Sequence, residues 1–344
     1  MELSVKEKII IAIVGATGAV GQTMLQVLHE RKFPVEEIIP LASERSVGQT
    51  VAFGAQELDV ENLDGFDFKG VDIALFSAGS EVSRLYAPIA AQAGCVVIDN
   101  TSCFRYQDDI PLVVPEVNPQ AIAQFKQHNI IANPNCSTIQ MVVALKPIYD
   151  AVGIKRINVA TYQAVSGTGQ KAIQELIGQL SELLNGRTSA AKVYPHQIAF
   201  NVIPHIDDFQ ANGYTKEEMK MVWETQKIFG DESILVNPTA ARVPVLYGHS
   251  EAIHLELKQP LTANQARVLL ENAPGVKVVD DIDKQHYPMP LIQAAGSDEV
   301  FVGRIRNDIS HPLGLNLWVV ADNTRKGAAT NAVQIAEILH NKYL

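Results

Sequence analysis

The first third of the chain alternates continuous apolar runs with segments in which apolar residues recur at helical spacing. "IIIAIVGA" (9–16) is a buried-strand pattern, and "VGQTMLQVLHER" (20–31) places its apolar residues on one helical face. Further strands are predicted in "EEIIPLAS", "VDIALFSAG" (71–79) and "CVVIDNTS" (95–102), with a helix in "SRLYAPIAAQAG". Alternation of this kind predicts a parallel sheet covered on both faces, of the Rossmann type.

From about residue 134 the pattern changes. "RINVATYQAVSG", "EAIHLELK", "VFVGRIRN" and "LNLWVVAD" alternate polar with apolar residues, as half-exposed antiparallel strands do. Helices are expected at 137–150, 170–185 and about 215–229, and the helical pattern at the C-terminus is expected to pack on the first domain. We therefore predict an α/β protein with two domains. A Rossmann-type domain spans 1–133 plus 325–344, and an α+β domain with a mostly antiparallel sheet spans 134–324.

Composition narrows the functional classes. The chain has 344 residues, of which 47% are hydrophobic and 19% charged, as expected for two globular domains. A formal charge of −10 argues against nucleic-acid binding but leaves room for a local anion pocket. The three cysteines are widely spaced and predict neither a disulfide framework nor a metal site. No secretory signal or membrane-length apolar run is present, so a cytoplasmic protein with no membrane partner is expected.

A glycine loop, "GATGAVG", joins the first strand to the first helix and contains Gly15, Gly18 and Gly21. Glycines let backbone amides approach a pyrophosphate, and the helix N-terminus favours an anion. The spacing is G-x-x-G-x-x-G rather than the commoner G-x-G-x-x-G, and a tight turn without a ligand is the alternative. The strand and helix on either side favour a dinucleotide.

The segment after the second strand, "LASERSVGQ", bears on which dinucleotide binds. An acidic residue here holds the ribose 2′-hydroxyl of NAD, whereas an arginine accommodates the 2′-phosphate of NADP. Glu44 is such an acid, but Arg45 between Ser43 and Ser46 is suited to a phosphate. The segment favours NADP, with Glu44 as a mixed signal.

"NPNCSTIQ" places Cys136 where a strand gives way to a helix. Pro134 and Asn135 interrupt the strand, and Ser137 or Thr138 is expected to cap the helix. The amides and dipole at a helix N-terminus stabilise a thiolate, which is the nucleophilic form. A lone cysteine is, however, more often a buried packing residue.

The other two cysteines, one histidine and two isolated arginines bear on whether Cys136 is a nucleophile or a buried packing residue. Cys95 opens an apolar strand and fits a packing role, and Cys103 lies in a polar turn without a helix start. A thiolate needs an acid–base partner, for which His249, after a glycine at a strand start, is a candidate. Arg242 and Arg105 stand alone in uncharged surroundings, as anion-binding arginines or surface ion pairs do.

Seven segments in order, over nearly the whole chain, resemble the aspartate-β-semialdehyde dehydrogenase family: "GATGAVG", "FSAGS", "NPNCSTIQ", "YQAVSGTGQ", "TKEEMK", "ARVPVLYGHSEA" and "DNTRKGAATNA". The resemblance implies oxidation of L-aspartate 4-semialdehyde with NADP and inorganic phosphate, through a cysteine thioester, to 4-aspartyl phosphate. In the cell the reaction would run in reverse, toward lysine, threonine, methionine and diaminopimelate. It also implies a homodimer without a metal, with residues 134–324 forming the catalytic and dimerisation domain.

The resemblance implies a role for each matching residue at the reacting carbon. Cys136 would be the nucleophile and His249 the acid–base residue. Gln163 would hold and orient the substrate, and Asn135 would help polarise its carbonyl oxygen.

It also implies the residues that bind the substrates and the cofactor. Arg242 would grip the α-carboxylate, Glu217 would meet the ammonium group, and Arg105 and Lys220 would bind phosphate. The residues expected at the cofactor, besides the three loop glycines and residues 43, 45 and 46, are Thr17, Ala19, Val20, Ser77, Ser166, Gly167 and Asn323.

Two other functions fit parts of this pattern. An N-acetylglutamyl-phosphate reductase shares the reaction plan, but its substrate lacks the free ammonium that Glu217 would bind. A non-catalytic NADP-binding protein would share the fold, but it has no use for the Cys136, His249 and Arg242 set.

Overall fold

The computed structural model describes residues 6–344, which form two compact units. The first comprises residues 6–135 and 328–344, and the second comprises 136–327. The domain limits predicted above lie within three residues of these. Each unit is organised around a six-stranded sheet.

The first unit contains an entirely parallel sheet, in the order β5-β2-β1-β6-β7-β8. Its elements are β1 (Ile9–Val14), α1 (Ala19–Glu30), β2 (Val35–Ala42), β3 (Thr50–Phe53), β4 (Gln56–Asp59), β5 (Glu61–Asn62), β6 (Ile73–Phe76), α2 (Ser80–Gln92), β7 (Val96–Asp99) and β8 (Ile130–Ala132). Strands β3 and β4 form a separate antiparallel hairpin. The strand order turns back on itself at β1, between β2 and β6. Such a switch point opens a crevice at the carboxyl ends of the strands, where nucleotides bind.

The C-terminal helix (Thr330–Tyr343) completes the core of the first unit. Its apolar face, which includes Val333 and Leu339, is buried in the same cluster as Ile11 and Leu25. Asn331 donates through Nδ2 to Asn133 Oδ1 at 2.6 Å and to the Val113 carbonyl oxygen at 3.0 Å. These buried contacts fix the segment that leads into Cys136.

The second unit contains a mixed sheet in the order β10-β9-β11-β14-β13-β12. Its elements are α3 (Cys136–Val152), β9 (Ile154–Gln163), α4 (Gln170–Leu184), α5 (Lys216–Phe229), β10 (Leu235–Arg242), β11 (His249–Leu257), α6 (Ala263–Glu271), β12 (Val276–Val278), β13 (Val300–Asn307) and β14 (Gly314–Ala321). The outer pairs β10/β9 and β12/β13 are parallel, and the inner neighbours are antiparallel. The predicted α/β fold class, with a Rossmann-type domain and a second domain whose sheet is mostly antiparallel, is confirmed: three of the five strand pairings in the second sheet are antiparallel.

Candidate active site

Helix α3 begins at Cys136, whose side chain is half-buried. The expectation that Ser137 or Thr138 caps this helix is wrong, because both residues already lie within its first turn. Ser137 instead accepts a hydrogen bond through Oγ from Gln163 Nε2 at 2.9 Å. The cysteine therefore occupies the first helical position itself, closer to the helix N-terminus than the sequence suggested.

The remaining cysteines differ from Cys136 in position. Cys95 is fully buried, and burial raises the pKa of its thiol. Cys103 is half-buried; burial, followed by the charge of Asp99, raises its pKa as well. Both environments disfavour the thiolate.

Strand register aligns three of the predicted residues across one face of the second sheet. Arg242 on β10 pairs with Gln163 on β9. His249 lies one residue beyond the Ser250–Tyr162 pair of β11 and β9, and so faces Gln163 from the other side. Because side chains alternate along strands, all three project to the same face, the one that α3 and α5 contact.

His249 is completely buried and forms one defined hydrogen bond. Its Nδ1 accepts from the backbone N–H of Ala164 at 3.1 Å. In the described part of the chain, Nε2 has no hydrogen-bond partner. Burial, followed by the charge of Arg242, lowers the pKa of His249 to about 3. The ring is therefore neutral near pH 7, and since Nδ1 is an acceptor, the proton lies on Nε2.

Arg242 is held from one side and leaves its Nε unused. Nη1 donates to the Ala164 carbonyl oxygen at 2.8 Å, and the guanidinium lies 5.8 Å from the ring centroid of Tyr194. Within residues 6–344, its buried Nε has no hydrogen-bond partner. A Cβ at Gly167 would lie 3.0 Å from Arg242 Nη1 and 3.3 Å from His249, so glycine permits both side chains to reach this space. A buried donor without a partner indicates a site for an anionic ligand.

Gln163 links the cysteine's helix to charged groups on α5. Its Nε2 donates to Glu217 Oε1 at 3.1 Å in addition to Ser137. Glu217 Oε2 accepts from Lys220 Nζ at 2.8 Å, and Lys220 also donates to Asp207 Oδ2 at 2.7 Å. Burial alone would lower the pKa of Lys220, but the two carboxylates outweigh it and raise the pKa. The predicted ammonium-binding and phosphate-binding residues of this unit are thus already paired with each other.

The residues predicted near a nicotinamide form a further cluster beside His249. Asn323 accepts through Oδ1 from Ser166 Oγ and from the Gly248 backbone N–H, both at 3.0 Å. These two bonds fix the orientation of the Asn323 amide. They tie Asn323 to the residue before Gly167 and to the residue before His249.

A cavity of about 640 Å³ lies at the switch point of the first sheet. Its wall includes seven predicted cofactor residues: Gly15, Thr17, Gly18, Ser43, Arg45, Ser46 and Ser77. Apart from Glu44, seven further lining residues were not predicted: Ala42, Asn62, Leu63, Asp64, Ala78, Val82 and Tyr86. Ala19 and Val20 lie instead in the first turn of α1, outside the cavity wall.

Two glycines of this loop are required by its geometry. Gly15 has φ +89°, in the left-handed region, and a Cβ there would meet Ala78 at 3.0 Å. A Cβ at Gly21 would lie 2.2 Å from the Gly15 carbonyl oxygen, so α1 could not approach the loop as it does. The loop and cavity fit the pyrophosphate and ribose of a dinucleotide.

Arg105, predicted to act with Lys220 on phosphate, belongs to the first unit, whereas Lys220 belongs to the second. Arg105 is buried, and its Nη2 donates to the Asn100 carbonyl oxygen at 2.9 Å. Asn135, at the end of the first unit, is also buried. Their joint action with the second unit stays a prediction.

Comparison with known proteins matches both units. The NAD binding domain of semialdehyde dehydrogenases matches residues 10–125, and their dimerisation domain matches residues 145–326. The chain is 69% identical over 334 residues to an aspartate-semialdehyde dehydrogenase of Legionella pneumophila, covering 97% of this chain and 96% of that protein. The chain belongs to the aspartate-semialdehyde dehydrogenase family.

Solved structures of aspartate-semialdehyde dehydrogenases agree. The crystal structure of aspartate semialdehyde dehydrogenase II from Vibrio cholerae complexed with ASA has a TM-score of 0.97 at 62% identity, covering 98% of this chain and 100% of that one. The enzyme from Candida albicans with NADP has a TM-score of 0.76 at 26% identity, covering 97% and 99%. The predicted family and enzyme class are confirmed: an oxidoreductase of amino-acid biosynthesis that acts on an aldehyde group.

Gly327 constrains the position of Cys136. A Cβ at Gly327 would lie 2.9 Å from Cys136 Cβ and 3.3 Å from its Cα. Gly327 belongs to the π-helical turn Arg325–Ala329, and its N–H donates to the Asp322 carbonyl oxygen at 3.0 Å. The turn thus packs directly on the first residue of α3.

Gly327→Ala is expected to displace Cys136 and to lower kcat by about 100-fold, because small misplacements of a reacting group have effects of this size. Steady-state kinetics and circular dichroism would measure activity and folding together. Gly178→Ala is the matched control, since a Cβ at this exposed position in α4 meets nothing within 4 Å. The control should keep full activity and gain up to about 1 kcal/mol of stability. Unchanged kcat in Gly327→Ala would contradict the packing argument.

The strand that carries His249 also carries a buried carboxyl group. Glu251 on β11 is completely buried opposite Thr161, and burial raises its pKa well above the usual range, against the opposing effect of Gln140. Among the described residues, neither carboxyl oxygen forms a hydrogen bond of good geometry, so the opposing effect of Gln140 is weaker than that of burial. A raised folded-state pKa means that this group's contribution to stability is present below the unfolded value and is lost as pH rises through the folded value.

Glu251→Gln is therefore expected to stabilise the protein progressively as pH rises, because glutamine has no charge to bury. The difference from wild type should grow by up to about 1.4 kcal/mol per pH unit above the unfolded pKa of about 4.3, until the folded-state pKa is passed. Urea and thermal midpoints between pH 5 and 8 would measure it. Glu256→Gln, on the same strand but partly exposed beside Arg156, should change stability by under about 0.5 kcal/mol at every pH. If the stability of both variants depended on pH equally, the raised pKa of Glu251 would be disproved.

Proposed function

We propose that the protein catalyses the reversible NADP-dependent, phosphorylating oxidation of L-aspartate 4-semialdehyde to 4-aspartyl phosphate, through a thioester on Cys136. The observation that carries this proposal is the row Arg242, Gln163 and His249, in which Arg242 Nε and His249 Nε2 are buried donors without partners in the described chain. Gln163 joins that row to the first turn of α3, where the cysteine lies. In the cell the net direction is reductive dephosphorylation of aspartyl phosphate.

The residues of the first unit fit NADP. The loop glycines leave room for the pyrophosphate, and exposed Arg45 on the cavity wall offers a cation for the 2′-phosphate. In the second unit, Ser166, Gly167 and Asn323 are suited to hold the nicotinamide end. When bound, the nucleotide supplies the hydride acceptor of the oxidation and the hydride donor of the reverse reaction.

The residues of the chain divide the remaining chemistry. Cys136 Sγ forms a bond to the aldehyde carbon, and the carbonyl oxygen gains the electron pair. His249 carries the acid side of its acid–base role, since its Nε2–H donates to that oxygen. Asn135 assists the same oxygen. After oxidation to the thioester, inorganic phosphate attacks the acyl carbon, the C–S bond breaks, and the electron pair returns to Cys136 as 4-aspartyl phosphate leaves.

The substrate's charged groups match the site. Arg242 binds the α-carboxylate through its unused Nε, and Gln163 orients the chain of the substrate. Glu217 binds the ammonium group, and Lys220 binds phosphate together with Arg105.

A homodimer is supported by the other face of the second sheet. Tyr162 and Trp318 lie there with their rings 5.6 Å apart, and Tyr162 is 39% exposed. Nearby, Leu291 is 77% exposed and Ile292 65% exposed, an apolar surface of the kind that protein interfaces bury. The dimerisation domain of the family covers this region.

No helix in the described residues is long and apolar enough to span a membrane.

The test is NADPH formation from L-aspartate 4-semialdehyde in the presence and absence of phosphate. We expect strict dependence on phosphate and a kcat/KM for NADP at least about tenfold above that for NAD, a preference that Arg45→Ala should reduce. N-acetylglutamate semialdehyde should react poorly, because it has no ammonium for Glu217. Faster turnover of that aldehyde, or activity independent of phosphate, would contradict the proposal.

A further inference from the structure

Asp207 contacts the predicted phosphate-binding lysine, although the functions assigned above give it no role. It lies between α4 and α5, and its Oδ2 is 2.7 Å from Lys220 Nζ. Its Oδ1 accepts from the Asp208 backbone N–H at 2.9 Å, so each carboxylate oxygen has a donor. The backbone at Asp207 has φ +66°, a left-handed conformation that aspartate and asparagine tolerate better than other side chains with a Cβ.

The three groups Asp207, Lys220 and Glu217 carry one excess negative charge. Lys220 Nζ lies between the two carboxylates, at 2.7 Å and 2.8 Å, and its side chain is 13% exposed. Burial opposes ionisation of Asp207, but the hydrogen bond and charge of Lys220 lower its pKa, while the two carboxylates raise the pKa of Lys220. Asp207 and Lys220 are therefore ionised near pH 7.

This excess negative charge affects the binding of both phosphate and the substrate ammonium group. A phosphate anion approaching Lys220 meets a group that is already over-neutralised, so binding is opposed. A substrate ammonium that pairs with Glu217 would restore neutrality, and an ammonium such as Lys220 has more donors than its two present contacts use. Without Asp207, the Glu217–Lys220 pair would be neutral before any substrate arrived.

We propose that Asp207 is a specificity-determining residue, which makes phosphate binding at Lys220 depend on a substrate ammonium at Glu217. The inference rests on the proposed function. Asp207 acts through Lys220 and Glu217, and Glu217 reaches Gln163 and so the first turn of α3. The enzyme would thereby disfavour aldehydes that carry the carboxylate but lack the amino group.

The test compares L-aspartate 4-semialdehyde with its des-amino analogue, succinate semialdehyde, in wild type and Asp207→Asn. Asparagine tolerates the left-handed backbone and removes only the charge. We expect the ratio of kcat/KM values, amino over des-amino, to fall by about tenfold, and KM for phosphate with the des-amino aldehyde to fall. Asp208→Asn is the matched control, because the Asp208 side chain is exposed and, among the described residues, forms no hydrogen bond or ion pair with Lys220. The kcat/KM ratio and the KM for phosphate should both stay as in wild type.

Other outcomes are distinguishable. If Asp207→Asn lowers kcat/KM for both aldehydes equally and raises KM for phosphate, Asp207 only holds Lys220 in place and the specificity proposal is wrong. An unchanged ratio with unchanged KM would also overturn it. If wild type fails to turn over L-aspartate 4-semialdehyde with phosphate, the proposed function fails instead, whatever the variant does. Thermal midpoints would verify that both variants are folded.

Discussion

Cys136→Ser is expected to lower kcat for phosphate-dependent NADPH formation by at least about 1,000-fold, because removing a nucleophile has effects of this size or larger. A serine hydroxyl at the first residue of α3 is far less acidic than a thiol and forms no thioester. Binding of NADP, measured by calorimetry, should be nearly unchanged, since the nucleotide cavity belongs to the first unit.

Cys103→Ser is the matched control for this substitution, because Cys103 is also half-buried but lies outside any helix start. It should retain activity within about twofold, as substitutions away from the reacting groups do. A thiol titration at neutral pH should show Cys136 reacting before Cys95 and Cys103, whose surroundings raise the pKa of their thiols. Retained activity in Cys136→Ser, or a faster thiol elsewhere, would refute the assignment of the nucleophile.

His249→Asn is expected to lower kcat by about 100-fold or more, the usual effect of removing a group that acts on a proton in the transition state. Asparagine can still accept from the Ala164 N–H, as Nδ1 does, but it has no group at the position of Nε2. Glutamine places an amide N–H close to that position. If the ring acts mainly as a hydrogen-bond donor, His249→Gln should be about tenfold more active than His249→Asn.

The pH profile of kcat separates the two roles of His249. Burial and Arg242 lower the pKa of His249 to about 3, so the ring stays neutral across the working pH range. The pH profiles of kcat for wild type and His249→Gln should therefore have the same shape near pH 6.5. An inflection there that His249→Gln lacks, with glutamine as inactive as asparagine, would mean that the ring is protonated and deprotonated during turnover. The donor role would then be wrong.

The sequence predicted best those strands whose hydrophobic pattern directly reflects which of their faces are buried. β1 and β6 are buried on both faces and have continuous apolar sequences, and β13 was predicted at its observed bounds. β10 was missed because Pro238 argues against a strand; as an edge strand, it has no neighbour on one side to require that N–H. The hairpin of β3 and β4 is short and mostly exposed, so its hydrophobic pattern is weak.

In the candidate site, features that depend on local sequence were predicted, whereas features that depend on tertiary contacts were not. Local sequence around Cys136 and the glycine loop predicted both features, because each depends on a strand-to-helix junction. The alignment of Arg242, Gln163 and His249 depends on strand register, which brings together residues far apart in sequence. Asp207 gave no signal at all, since its contact with Lys220 arises only when its loop packs beside α5.

The most direct test of the central claim is the mass of the intact enzyme after mixing with L-aspartate 4-semialdehyde and NADP without phosphate. We predict one added aspartyl group per chain, located by peptide mapping on Cys136 and released as 4-aspartyl phosphate when phosphate is added. No covalent adduct, or an adduct on another residue that phosphate does not release, would contradict the thioester mechanism.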